Sequence, residues 1–331
     1  MRKLRLAAIV LLAVITVAAI AGCAGTGAKE DTLERPVKVL TLMGPTGMGM
    51  AKIMNDSEAG SSALQYDFTV ASAPDQIAAS VIKGEYDIAA VPVNLASVLY
   101  NKTNQALYVA AVNTLGVLYI LDNGNGVSTL EDLRGKTLYA TGQGSNPEYT
   151  LRYILQKNNI DPDKDLTIEY LAEHAELATK MVAGQATLGM LPEPNVTSVT
   201  INNPDVKIAI DLTQEWEKAT GVKLAQGCII VNKQFADEHP GILQKFLDEY
   251  RASVNFVNTD PDSASQMIEK AGIVPKAAIA KKAIPNCNIV LITGQEMKTM
   301  VGDMLKVLYD ANASSVGGKL PQDSFYYLSA K

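Results

Sequence analysis

Short hydrophobic runs alternate along this chain with longer stretches in which apolar residues recur at helical spacing. The runs Val37–Leu42, Tyr66–Ala71 and Asp87–Val91 are each followed by a turn containing Gly or Pro and then by a helical stretch. Strands that alternate with helices of about 10–15 residues are typical of βαβ units. The pattern therefore predicts an α/β fold with mainly parallel sheets flanked by helices.

A second block of the same kind begins near residue 128. Further strands are predicted over 107–113, 117–121, 137–141, 166–171, 186–191, 206–211 and 227–232. Helices are predicted over 48–55, 74–83, 92–100, 147–158, 173–183, 240–258, 261–271, 275–283 and 295–311. The chain is therefore expected to contain two successive α/β blocks and a mostly helical end.

The first residues depart from this alternation. Arg2, Lys3 and Arg5 precede the uncharged run Leu6–Ile20, and Ile-Ala-Gly then leads directly into Cys23. The run is shorter than the about 20 residues of a membrane-spanning helix, and the order of basic, apolar and small residues is typical of an export signal. Because the cysteine resembles that of a bacterial lipobox, we predict a signal peptide over 1–22, lipidation of Cys23 and a flexible tether over 23–35.

Composition narrows the functional classes. The 331 residues include 29 Lys and Arg against 35 Asp and Glu, so the formal net charge is −6. Without a basic surplus to neutralise phosphates, nucleic acid is not an expected partner. Three cysteines are too few for a disulfide scaffold, and whether Cys228 and Cys287 pair is left open by the sequence.

Several segments resemble those of a known family in their order and spacing. Leu130–Lys136 resembles the segment that enters the second lobe of solute-binding proteins, and the other segments are 89–92, 191–194, 229–236 and 240–247. Together with the lipobox, they resemble the SsuA/THI5-like (NMT1-like) branch of ABC-transporter solute-binding proteins. The ligands of that branch are nitrate, sulfonates, taurine and thiamin-precursor pyrimidines.

The resemblance implies a two-lobed fold of the periplasmic-binding-protein type (type II). Lobe 1 would comprise 36–120 plus 222–331 and lobe 2 would comprise 121–221, with chain crossings near 118–123 and 212–224. The expected partners are a small-molecule ligand held between the lobes, an ABC permease and its ATPase. The expected protein is a monomer without a cofactor, anchored by lipid at the extracytoplasmic face of a bacterial cell membrane.

Candidate ligand-binding residues lie in the loops that follow the predicted strands. In open α/β sheets, ligands bind beyond the carboxyl ends of the strands, beside helix N-termini. The candidates are Gly44, Thr46, Gly47, Met48, Ser72, Asp75, Pro92, Asn94, Gly144, Ser145, Asn146 and Glu193. None of these loops contains Arg or Lys, so a charged ligand group would meet amides and hydroxyls. The same features also describe plain helix starts, and Ser145 and Glu148 fit a capping box.

Other functions find less support in the sequence. Catalysis requires a nucleophile–base pair or a metal set, whereas the only histidines, His174 and His239, are expected at the solvated surface. Trp216 and Tyr119 could stack on a planar ligand or pack at the hinge, and the second interpretation is favoured. A ligand sensor without transport, and an enzyme of the same fold, stay open as alternatives to the transport receptor.

Overall fold

The computed structural model describes residues 31–328, and from Leu33 onward these form one compact unit. The predicted signal peptide, Cys23 and residues 24–30 of the tether lie outside the described residues. Leu33 packs against the hydrophobic core, and Arg35 Nη2 donates to Asp87 Oδ1 at 2.7 Å. The predicted tether is therefore too long at its carboxyl end, because ordered contacts begin at Leu33.

The first sheet has six strands in the order β11-β4-β10-β3-β1-β2. They are β1 Val37–Leu42, β2 Tyr66–Ala71, β3 Ile88–Pro92, β4 Leu107–Leu115, β10 Ala225–Asn232 and β11 Ile289–Ile292. β1 pairs in parallel with β2 and β3, whereas β10 runs antiparallel between β3 and β4. The first four strands therefore point the same way, and their carboxyl ends share one edge. This sheet and its helices are called lobe 1.

The second sheet repeats this design with five strands in the order β7-β6-β8-β5-β9. They are β5 Leu118–Asp122, β6 Thr137–Thr141, β7 Thr167–Leu171, β8 Leu188–Pro192 and β9 Lys207–Asp211. β6 is parallel to β7 and β8, and β5 runs antiparallel between β8 and β9. This sheet and its helices are called lobe 2. The two sheets confirm the α/β prediction. β10 and the edge strand β11 run against the other strands of the first sheet, and β5 runs against those of the second.

The helices cover both sheets. They are α1 Pro45–Met48, α2 Ala51–Glu58, α3 Pro74–Lys83, α4 Val93–Lys102, α5 Asn146–Lys157, α6 His174–Val182, α7 Asn195–Asn202, α8 Leu212–Thr220, α9 Lys233–Glu238, α10 Pro240–Thr259, α11 Pro261–Lys270, α12 Ala277–Ala283 and α13 Gly294–Ala311. A 3-10 turn, Ile284–Asn286, follows α12. No helix among residues 31–328 is both long and apolar enough to cross a membrane.

The continuous apolar runs arise because the inner strands of the first sheet, β1, β3, β4 and β10, are buried on both faces. Val37 and Val39 of β1 pack into one core cluster, and Leu40 and Leu42 pack into another. Successive side chains of a strand point to opposite faces, so a strand covered on both sides needs apolar residues throughout. This burial fixes the strands whose ends carry the candidate loops.

Two chain crossings join the lobes. The first is the pair Gly116–Val117 between β4 and β5, and the chain returns through 221–224 between α8 and β10. The first crossing thus lies before the predicted 118–123, because those residues form β5. The second lies within the predicted 212–224, but most of that range forms α8. A Cβ at Gly116 would overlap the Thr213 hydroxyl, so the crossings pack too closely for a side chain there.

Candidate functional site

The carboxyl ends of the two sheets face each other. Gly44 follows β1 in lobe 1, and Pro194 follows β8 in lobe 2. A Cβ built at Gly44 would lie 3.8 Å from Pro194 Cδ, so the two loops are in van der Waals range. The region between the loops that follow the strands of the two lobes is called the interlobe cleft, and it contains the predicted candidate loops.

The first cleft loop, residues 44–48, is held by hydrogen bonds that its backbone groups make to other parts of lobe 1. The Gly44 amide, at φ 81°, donates to the Ile273 carbonyl at 3.0 Å, and Asn113 Nδ2 donates to the Thr46 carbonyl at 3.0 Å. A Cβ at Gly47 would overlap the Leu42 carbonyl, so only glycine fits at this position of the loop. The half-buried Thr46 keeps a hydroxyl without a partner in the described part of the chain.

Met48 lies in this loop but its side chain does not face the cleft. The residue is fully buried in a core cluster with Met50. Only the backbone of Met48 is therefore left as a candidate for ligand contact.

Two further loops of lobe 1 differ in their exposure. Ser72 is exposed, and its amide lies 3.1 Å from Gln76 Oε1; Asp75 is exposed in the first turn of α3. Pro92 and Asn94 are half-buried, and the Asn94 carboxamide has no partner among residues 31–328. Asn94 is thus the better placed of these side chains for a ligand that is taken out of water.

The loop that enters α5 is built differently from the predicted capping box. The Ser145 hydroxyl donates back to the Gly142 carbonyl at 2.6 Å, and the helix has no side-chain cap. The Gly144 amide donates to Glu148 Oε2 at 2.6 Å. The capping box is therefore wrong, since Glu148 accepts from Gly144 and not from Ser145, and the Gly144 amide is not free for a ligand.

Asn146 opens α5 and is only 2% exposed. Its Oδ1 accepts from the Thr150 hydroxyl at 3.4 Å, while Nδ2 is buried without an acceptor within the residues described. Buried polar groups are normally paired. Asn146 Nδ2 is therefore available to donate a hydrogen bond to a ligand.

Glu193 is a buried carboxylate at the end of β8. It is 2% exposed, and it accepts from the Thr197 amide at 3.0 Å, the Thr197 hydroxyl at 2.9 Å and Asn286 Nδ2 at 3.2 Å. Burial raises the pKa of Glu193, and the three donors oppose that rise. Because Asn286 follows α12 in lobe 1, the carboxylate joins the two lobes as well as the start of α7.

His174 is placed differently from its prediction. Its Nδ1 lies 2.6 Å from the hydroxyl of Thr141, the last residue of β6, and the ring is half-buried. Burial lowers the pKa of His174, with Glu173 acting weakly in the opposite direction. The expectation of a solvated histidine is wrong. The sequence signal was its position directly after β7, at the same sheet edge as Thr141.

Gln226 is a second residue that the candidate set does not contain. It lies at the start of β10, where Gly227 pairs with Pro92 and Ala225 pairs with Leu115. It therefore sits at the carboxyl ends of β3 and β4, and its Oε1 is buried without a donor in the described structure. An antiparallel strand that begins at the cleft edge is the topological signal that could have identified it.

The remaining residues of interest are structural. Trp216 is fully buried and packs on Tyr153 with ring centroids 5.1 Å apart, and the Tyr119 hydroxyl donates to the Asn286 carbonyl at 3.0 Å. Packing, the favoured interpretation, agrees with both contacts. Cys228 and Cys287 are buried free thiols, and no group of three metal-ligating residues occurs within 31–328.

Comparison with solved structures finds the same architecture in other proteins. An ABC transporter protein from Parabacteroides distasonis is 24% identical, with 89% of this chain and 99% of that chain covered at a TM-score of 0.77. The aliphatic sulphonate binding protein SsuA from Escherichia coli is 14% identical, with coverage of 90% and 95% and a TM-score of 0.70. The nitrate-binding protein NrtA from Synechocystis is 11% identical, with coverage of 85% and 84% and a TM-score of 0.60.

These structures share the two-lobed fold, which confirms the predicted fold type. A search among curated proteins found no significant match. The model of the family described as NMT1/THI5 like matches residues 68–264, which is more than half of the chain and spans strands of both lobes. The chain therefore belongs to the NMT1/THI5-like family.

Proposed function

We propose that this protein is a lipid-anchored, extracytoplasmic solute-binding protein that captures a small polar ligand and delivers it to an ABC permease and its ATPase. The observation that carries the proposal is the meeting of the two sheets' carboxyl ends around unmatched polar groups. Asn146 Nδ2 and Gln226 Oε1 are buried without partners among residues 31–328, and the half-buried Thr46 and Asn94 present polar side chains at the same edge. A ligand between the lobes would supply the missing partners.

The related structures support the transport role. One is described as an ABC transporter, one as a periplasmic sulphonate-binding protein and one as a periplasmic nitrate-binding protein. By analogy, the ligand belongs to the sulfonate, nitrate, taurine or thiamin-precursor pyrimidine class, and Cys23 carries the lipid. The two short crossings allow the lobes to open as hinged bodies, and a ligand that contacts both lobes stabilises the closed form.

An enzymatic function is less well supported by the cleft. Thr141 and His174 form a hydroxyl–imidazole pair that superficially matches a nucleophile and its base. However, Thr141 is only 1% exposed, so its oxygen is not accessible to a substrate. The pair is better explained as a support that orients the imidazole at the cleft edge.

Thermal unfolding tests the receptor function. The chain from residue 24 onward would be heated with sulfonates, nitrate, taurine, aminopyrimidines, riboflavin and amino acids. A ligand at about 1,000 times its dissociation constant adds about 4 kcal/mol, or a rise in Tm of roughly 8–16 °C at about 2–4 °C per kcal/mol. We expect one chemical class to give this rise, and no rise with any compound would contradict a receptor function.

A further inference from the structure

The charged side chains in the candidate loops and in the first turns of the helices that follow them have one sign. Asp75, Glu148 and Glu193 follow three of the strands that end at the interlobe cleft, whereas no Lys or Arg occurs in the candidate loops. A nearby cation is Arg152, one helical turn beyond Glu148, and it is held by Asp163 at 2.6 Å and lies 3.6 Å from Glu148. Glu148 is therefore only partly compensated, and the candidate loops themselves contain no Lys or Arg that could meet an anionic ligand.

The chain's own carboxylates occupy the positions at which helices usually bind anions. Amide groups at a helix N-terminus and its preceding loop favour negative charge. At α5 the Gly144 amide donates to Glu148, and at α7 the Thr197 amide donates to Glu193. A ligand anion would have to approach these helix starts beside an existing carboxylate, which opposes its binding.

Gln226 favours a ligand that donates a hydrogen bond. Its Oε1 is a buried acceptor without a donor in the described part of the chain, at the edge where β3 and β4 end. Leaving a buried acceptor unpaired is unfavourable. An N–H group of a ligand would satisfy it, whereas nitrate and sulfonate oxygens carry no hydrogen to donate.

We propose that the ligand carries N–H donors and no negative charge, and that Glu148 and Gln226 enforce this choice. The inference rests on the proposed receptor function and makes it more specific. The cleft would then discriminate against anions such as those named for SsuA and NrtA. Uncharged and cationic ligands share the required chemistry, and the variants below distinguish them.

Isothermal titration with matched pairs of compounds tests the choice directly. The pairs are methanesulfonamide and methanesulfonate, nicotinamide and nicotinate, and a hydroxymethyl-aminopyrimidine and its phosphate ester. In each pair that binds, we expect the anion to bind at least tenfold more weakly. Equal or tighter binding of the anions would overturn the inference and leave the receptor function intact. No binding in any pair, together with a flat thermal panel, would overturn both.

Two variants connect the preference to the named side chains. Glu148→Gln removes the charge at α5 and should reduce the ratio of the two dissociation constants within a pair at least threefold. Gln226→Leu should lower the affinity for the uncharged member of a pair at least tenfold. Gln244→Leu, on an exposed helix face where Gln244 bonds Asp248, is the matched control and should leave affinity unchanged. Equal effects of Gln226→Leu and Gln244→Leu at unchanged Tm would contradict the role of Gln226.

Replacing the carboxamide by a carboxylate identifies the charge of the ligand. Gln226→Glu retains an acceptor at the same position and adds a negative charge. This variant should bind a cationic ligand severalfold more tightly than the wild type does, whereas an uncharged ligand should bind no more tightly than before. If this variant instead bound the anions better, the proposed electrostatic selection would be overturned.

Discussion

The contact between Asn286 and Glu193 makes lobe closure measurable by mutation. Asn286 Nδ2 donates to Glu193 Oε1 at 3.2 Å and so connects the turn after α12 in lobe 1 with the end of β8 in lobe 2. Asn286→Ala removes this donor and leaves the two contacts from Thr197. Because the backbone carbonyl remains, the bond from Tyr119 is preserved.

The expected magnitude follows from the kind of bond that is lost. Hydrogen bonds to charged groups contribute about 1.5–3 kcal/mol, and the length of 3.2 Å favours the lower end. If the bond is made only in the closed state, a loss of about 1.4 kcal/mol reduces the closed population relative to the open one about tenfold. Ligand affinity measured by calorimetry should then fall by roughly the same factor.

A matched asparagine separates closure from general stability. Asn258 Nδ2 donates to the Ile289 carbonyl at 2.9 Å, and both residues lie in lobe 1. Asn258→Ala should lower the free energy of unfolding in urea without changing ligand affinity. If Asn286→Ala weakens ligand binding no more than Asn258→Ala does, the reasoning about interlobe closure is wrong.

Three further predictions concern pH dependence and packing. Burial raises the pKa of Glu193 above its ordinary 4.5, so the folded state holds the proton more tightly than the unfolded state. The free energy of unfolding of the wild type, relative to that of Glu193→Gln, should therefore fall as pH rises through the raised pKa. Urea unfolding from pH 4 to 8 measures this difference, and a difference that does not change with pH would contradict the prediction. Arg35→Ala leaves Asp87, whose side chain is 6% exposed, with a single amide donor and should cost about 1–2 kcal/mol in urea; no loss would show that the pair is not stabilising. Trp216→Ala should cost about 3–5 kcal/mol, and the native tryptophan emission should be blue-shifted, whereas water-like emission would contradict its burial.

The strands and their order in the chain were readable from the sequence. β1, β2 and β6 have their predicted bounds because their apolar, aromatic and β-branched residues favour strands and are followed within three residues by Gly44, Pro74 and Gly142. β11 was missed because its four residues form a short run between helices. α8 was predicted as part of a crossing, although Asp211, which accepts from the Thr213 amide at 2.8 Å, was a visible N-cap.

The site was less predictable because its contacts join distant segments. Loops after strands follow from βα topology, so the loops that hold Gly44, Asn94 and Glu193 could be proposed. However, the partner of Glu193 is Asn286, 93 residues away, and the partner of His174 is Thr141, 33 residues away. Local sequence does not encode such pairings, since they depend on how the two sheets are folded and brought together.

Ligand-dependent closure of the two lobes is the central claim, and single-molecule FRET tests it most directly. β2 and β7 are edge strands on the far side of each sheet from the strands that join at the first crossing, and Asp67 and Glu169 are exposed positions on them. Dyes would be attached to the double variant Asp67→Cys and Glu169→Cys, because the two native thiols of the body are buried.

The measurement would use the ligand identified by the thermal panel. We predict a population of low transfer efficiency without ligand that shifts to a single population of higher efficiency at saturation. An efficiency distribution unchanged by saturating ligand would contradict closure of the lobes around the ligand.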